Sequence, residues 1–343
     1  MSTATNEHEG LSESDRGRRA DDPAEIPKQG WWDVAMRVKK SLAQDNVSLI
    51  AAGLALYALL AVFPGLAAAV SIYGLFASPQ EVSAHLQSVA GMLPEDGLRI
   101  LDDQLSQLAT RGQQTLSVGV IGGILIALWS ARKGMTALMS ATNIAYNEEE
   151  QRGFFKQILV SSTFTFCAVI AFLIMLALTV AIPLVLDVLP IGKAAEIVVL
   201  VLRWALLWLM AVAGLAVVYR YAPDREQARW RWITPGSAIA ATLWLVGGLL
   251  FAVYVRNWGS YGETYGALGG VIVLLMWFYL SGYIVILGAE INAELERQTV
   301  KDTTDGAPEP LGERGAYSAD TVGPTAEHSK GRPHARPSKL KNK

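Results

Sequence analysis

Six long apolar runs decide what this chain can fold into. They lie at about 47–75, 115–131, 158–183, 197–219, 234–256 and 267–289. A run of about 18 nearly uncharged residues is long enough to cross a hydrocarbon core about 30 Å thick. Only 17% of the 343 residues are charged and the mean hydropathy is +0.30, against roughly 25% charged in an average soluble protein. Much of that charge sits in residues 1–30 and 298–343, so the middle is more apolar than the average suggests. The expected fold is an all-α integral membrane protein: a bundle of six transmembrane helices with polar tails. Residues 1–30 are hydrophilic and do not form a signal peptide, so the first span is expected to be retained.

Basic residues set the orientation, because cytoplasmic loops carry the excess of Lys and Arg. The N-terminal tail holds seven, the 132–157 connection four, the 220–233 connection four and the C-terminal tail nine. The alternate connections hold only Arg99 and Arg111, Lys193, and Arg256, and Arg203 lies inside a span. The alternation has no exception, which places both tails on the cytoplasmic side.

The connections carry their own signals. Residues 1–30 and 298–343 are poor in large apolar side chains and are expected to be disordered. From Trp31 to Leu42 the apolar positions suit a helix lying at the interface, with tryptophans at headgroup level. The long external connection, about 77–114, repeats Val and Leu at helical spacing around Pro94-Glu95-Asp96-Gly97, which predicts an amphipathic external hairpin. After the second span a bend at Gly134 is expected, with 135–146 lying along the inner surface and presenting Asn143 there. The first run is too long for a straight crossing, and Pro64 removes a backbone donor at its centre. Either a proline kink for packing or a discontinuous helix lining a polar pathway follows.

Much familiar chemistry is missing. The histidines His8, His85, His328 and His334 share no helix face at metal-ligand spacing, so neither metal nor cofactor is expected. Cys167 is the single cysteine, which excludes an intramolecular disulfide and a CxxC motif. It reads as a buried, inert thiol. There is no phosphate-binding glycine loop and no GxSxG elbow, so the chain is not expected to be an enzyme. A net charge of −2 gives no global pull toward nucleic acid, although Lys330 to Lys343 carries six basic residues that suit anionic lipid headgroups.

The informative polar positions lie at span ends. Glu290, followed by Asn292, closes the sixth run, and the helix is expected to continue through Arg297 into water. Glu290 would then reach cytoplasmic arginines such as Arg132 or Arg220. It serves either as half of a structural ion pair or in a proton or substrate role. Arg203 sits about six residues into the fourth span, where its stem either snorkels outward or meets an anion inside the bundle. In 257–270, Gly262, Gly266 and Gly270 recur every fourth residue beside Tyr261 and Tyr265. That ridge predicts close helix packing, or an entry for a headgroup or sugar.

Four stretches together resemble the YihY/BrkB family of bacterial inner-membrane proteins, once labelled ribonuclease BN. They are AAGLALYALLAVFPG (51–65), LWSARKGMTALMSATNIAY (128–146), YRYAPDREQARWRWITPG (219–236) and YGALGGVIVLLMWFYLSGYIVILGAEINAEL (265–295). The resemblance covers about 31–297 and implies the same six helices. It also implies a part in envelope integrity, or in lipid or glycolipid movement, and supplies no catalytic motif. The leading expectation is a transporter-like role with membrane lipids as partners. The alternative is a scaffold for envelope proteins; a tail-borne nuclease is disfavoured, and the oligomeric state is left open.

Overall fold

The computed structural model describes residues 16–73, 113–188, 192–258 and 268–326. The expected external hairpin, Tyr265 and Gly266 lie outside those residues. The elements are α1 (Lys28–Gln44), α2 (Val47–Tyr73), α3 (Gln113–Tyr146), α4 (Phe154–Val188), α5 (Lys193–Tyr221), α6 (Trp230–Trp258), α7 (Leu268–Glu296) and the short α8 (Tyr317–Asp320). Among the described residues there is no strand, only an isolated antiparallel bridge between Ala228 and Thr304.

Each apolar run maps onto one of α2 to α7, helices of 27 to 35 residues. Four stretches among the described residues are long and apolar enough to cross a membrane by themselves: Phe154–Met175, Lys193–Tyr221, Trp230–Asn257 and Leu268–Glu296. A fifth candidate is α1 together with Val47–Val62, bent by 64°. Large apolar side chains such as Phe166, Phe172, Val201 and Leu249 point outward along these helices. In water that pattern would be costly, and in lipid it is the expected face. Cys167 lies on such an exposed surface, not in the interior expected for it, because α4 turns this part of its circumference away from the bundle.

α7 is the central post and packs against α1, α2, α3 and α6. Its C-terminal half meets Val47 and Ala51 of α2, Ala141 and Ala145 of α3, and Ile233 of α6 in one buried core. Val34 and Val38 of α1 join Trp232 and Leu295 in a second. α1 is the helix expected there, but its Val34–Val38 face is buried on α7, and of its large apolar side chains Trp32 is the one left exposed.

Two expectations about the connections do not hold, and one of the two alternatives for the first span falls away. α3 continues helically through Gly134 to Tyr146, and Met139, Thr142 and Asn143 are buried instead of lying on a surface. One helical glycine costs only about 1 kcal/mol relative to alanine, less than burying that face returns. α2 likewise stays helical through Pro64, so the helix is not discontinuous there. The described parts of both tails, 16–30 and 298–326, are folded: Val300 N donates to Arg18 O at 2.9 Å and Gly323 N to Arg297 O at 2.8 Å. Their order comes from arginines that bind main-chain carbonyls, a signal that a count of apolar side chains does not register.

Candidate functional site

The last three turns of α7 carry Glu290, Asn292, Glu294 and Glu296, all buried. The helix does run to Glu296, but into a polar cap, not into water. Glu294 accepts from Arg37 Nε at 2.6 Å, Arg297 at 2.7 Å and Ser41 Oγ at 3.3 Å. Glu296 is held by both terminal nitrogens of Arg225, at 3.0 and 2.6 Å, and by Thr303 Oγ1 at 3.0 Å. The Arg225 guanidinium lies 4.9 Å from the centre of the Tyr146 ring. Buried charges survive when they are paired and their remaining valences are filled, and these two carboxylates meet that condition. Burial pulls the Arg225 guanidinium down, and the contact with Glu296 more than offsets it, leaving it above its ordinary range.

Asn292 clamps α7 to α6 beside Pro235. Its amide donates to Ile233 O at 2.9 Å and its Oδ1 accepts from Gly236 N at 2.8 Å. The backbones approach closely because both sides are glycine. A Cβ on Gly236 would strike Gly288 O and the Asn292 side chain, and one on Gly288 would strike the Tyr219 hydroxyl. That hydroxyl donates to Val285 O at 2.7 Å. The close-packing glycines are therefore these two. Of the ridge expected at 262–270, Gly262 and Gly266 lie outside the described residues, and a Cβ on Gly270 meets nothing.

The tails close the cap. Arg18 donates to Gly323 O at 2.6 Å, Arg37 to Pro324 O at 3.1 Å, and Arg314 to Ala319 O at 2.6 Å. Asp33 joins Arg16 to the N–H of Ala326. Arg220 stacks 4.6 Å from the Trp230 ring and pairs with Asp305 at 2.7 Å.

The turn after α3 fixes a further group. Asn147 has φ 56°, a left-handed conformation that asparagine tolerates better than most residues. Glu148 N returns to Asn143 O and Asn147 N to Ile144 O, the hydrogen-bond pattern that closes many helix ends. The Asn143 side chain accepts from Asp224 N at 2.8 Å, tying this turn to the 222–226 loop. Glu148, aimed by the same turn, accepts from Tyr317 N at 2.8 Å. Burial pushes its carboxyl up from 4.5 to about 7, opposed by the Tyr317 hydrogen bond and by Arg225.

The cap brings Asn143, Glu290 and Asn292 to one end of the bundle. Glu290 does not pair with Arg132 or Arg220; among the described residues it has no ion pair. The Asp45 carboxylate at the end of α1 lies beside it, and its Oε1 has no hydrogen-bond partner. Arg220 is drawn off by Asp305 and Trp230, and Arg132 is half-buried on α3. Arg203 stands apart, 3.5 Å from Thr179 O and 5.5 Å from the centre of the Trp204 ring. Sequence reasoning missed Arg37, Asp45, Arg225 and Glu148 as cap residues. A signal existed for Arg37 and Arg225: three acids at 290, 294 and 296 on a helix end need buried cations.

The chain is similar to several known proteins. It is 36% identical over 188 residues to the putative ribonuclease-like protein YfkH of Bacillus subtilis, covering 51% of this chain and 65% of that one. It is 28% identical over 275 residues to the UPF0761 membrane protein RC1_0578 of Rhodospirillum centenum, covering 78% and 58%. A UPF0761 membrane protein of Tolumonas auensis is 33% identical over 99 residues, 29% of this chain and 32% of that one. The matches thus span less than two thirds of each relative's length. No solved structure matches the chain. The family model described as virulence factor BrkB matches residues 38–311, a stretch that takes in α2 to α7 and most of the polar cap, and the chain belongs to that family.

Proposed function

We propose that this is an inner-membrane protein of six spans, α2 to α7, with both tails cytoplasmic. In this reading it moves a lipid or another envelope component across the membrane, with no nucleotide hydrolysis and no enzymatic activity of its own. The observation that carries the reading is the polar end of α7, where Glu290 is buried without an ion pair on a helix otherwise suited to lipid. Ionisable groups in such places are functional candidates by default. The gathering of the two tails with the turns near Glu148 and Asp224 at one end supports the orientation drawn from the basic residues.

Vesicle reconstitution tests the activity. The pure protein should accelerate the movement of a fluorescent lipid analogue or an anionic solute. No acceleration, with or without a proton gradient, counts against the reading. Orientation is tested in a Cys167→Ser background, where Lys28→Cys and Lys156→Cys should resist impermeant thiol reagents in intact cells and Lys193→Cys should react. Labelling of Lys28→Cys from outside would overturn the arrangement.

A scaffold for envelope proteins is the second reading. The observation favouring it is the cap itself, built from both tails into a fixed surface. Cross-linking in cells should then recover a partner through 298–326. Full function after removal of that segment would exclude this version.

A further inference from the structure

We propose that Arg203 binds the phosphate of a membrane phospholipid where α5 runs beside Thr179 of α4.

The charge stands in lipid-suited surroundings. α5 is long and apolar enough to cross a membrane, and around Arg203 it turns large side chains outward. Val201 and Leu202 are each 61% exposed and Trp204 48%. In lipid a guanidinium there gives up water while keeping its charge, which is costly unless an anion meets it. Arginines of the cap meet carboxylates: Arg37 takes Glu294, Arg152 takes Asp224, Arg220 takes Asp305 and Arg225 takes Glu296. Arg203 forms no ion pair among the described residues.

Its neutral contacts do not fill the fork. Nη1 reaches Thr179 O only at 3.5 Å, longer than an ordinary hydrogen bond. The centre of the Trp204 ring lies 5.5 Å from the guanidinium carbon, and Nε is buried with no hydrogen-bond partner. A guanidinium carries five N–H groups, so most of them find no acceptor among the described residues. A phosphate offers several oxygens in the geometry that this fork matches. Val201, Leu202 and Trp204 beside it suit the glycerol and acyl chains of the same molecule, which a free anion lacks.

Depth agrees with that occupant. Arg203 is about six residues inside its apolar run, roughly 9 Å of helix. Side chains on a helix lean toward its N-terminus, which in α5 is the Lys193 end and the nearer boundary. The stem therefore carries the charge toward the headgroups, and a bilayer thins where an arginine draws a phosphate inward. The lipid is a resident of the site, not cargo, so the site stands or falls separately from the translocation reading. Only the leaflet that supplies the lipid follows from the orientation proposed above.

Unfolding midpoints of the full-length protein in detergent test the site, with dioleoylphosphatidylcholine, dioleoylglycerol or inorganic phosphate added. The phospholipid has no net charge, so the basic tails do not dominate its binding. It should raise the wild-type midpoint, and the other two should leave it nearly unchanged. Arg203→Gln and Arg203→Leu should each lose most of that rise; leucine suits lipid, so the test survives if the glutamine variant fails to fold. Lys193→Gln, at the exposed near end of α5, should keep the rise in full. An equal rise with dioleoylglycerol would reveal acyl contact alone, and a rise with inorganic phosphate that Arg203→Leu removes would reveal a site for soluble anions. Either overturns the proposal, as does a full rise in the Arg203 variants or an equal loss in Lys193→Gln. Vesicles that move no lipid while the midpoints behave as described would leave the phosphate site standing and remove the transport role.

Discussion

Glu294 collects donors from Arg37 and Ser41 of α1 and from Arg297 at its own helix end, and the Arg37 guanidinium that anchors it is fully buried. Removing one member of a buried pair strands the other, at a loss of roughly 3–5 kcal/mol. Arg37→Ala should therefore lower the unfolding transition by that amount, whereas Lys39→Ala, one step further round α1, should leave it nearly unchanged. Equal effects in a thermal unfolding series would show that Arg37 is not the anchor. Glu148 gives a pH-dependent expectation. A carboxyl whose folded value exceeds its unfolded one binds its proton more tightly when folded. Its stabilisation is complete below 4.5 and is lost as pH rises through about 7. The unfolding midpoint should fall over that window, and fall less in Glu148→Gln; identical slopes would refute the assignment. Glu290 and Asn292 were legible as polar residues on an apolar helix. Their neighbours were not, because Arg37 and Asp45 lie some 250 residues earlier in the chain and nothing local announces that they meet α7.

Helix against helix, the tightest approach is the crossing of α6 and α7 at Gly236 and Gly288. Gly288→Ala would drive a methyl into Tyr219 and Ala240, and overpacking of this kind costs about 1–3 kcal/mol. Gly270→Ala, with open space around it, should be neutral or slightly stabilising, since alanine favours helix over glycine. A reversed order of the two variants in unfolding measurements would contradict the crossing described here. The helices themselves were legible because length and hydropathy are local properties. The glycine pair was not: Gly236 follows a proline and Gly288 stands alone among aliphatics, so neither belongs to a spaced motif. Gly134 misled for the complementary reason. A glycine reads as a hinge until the face beyond it finds a partner, and Ala141, Ala145 and Tyr146 find α2 and α7.

At the scale of the whole molecule, the described residues divide into a lipid-suited bundle and a polar cap made largely from chain ends. Composition could identify the first and not the second, since 298–326 is ordered by arginine–carbonyl contacts instead of apolar burial. Arg297 and Arg314, each 5% exposed, should resist trypsin in the folded protein and become sensitive on unfolding. Rapid cleavage at both under native conditions would mean that the tail is not folded there. The cap also imposes an order on manufacture. Arg18 meets Gly323 across 305 positions, and Arg37 meets Glu294 across 257. The first helix must therefore wait, its charges unmatched, until almost the entire polypeptide has left the ribosome. A chain terminated before 294 inserts its hydrophobic segments yet exposes that surface to the quality-control proteases of the cell, so closure of the cap distinguishes a finished molecule from an abandoned one.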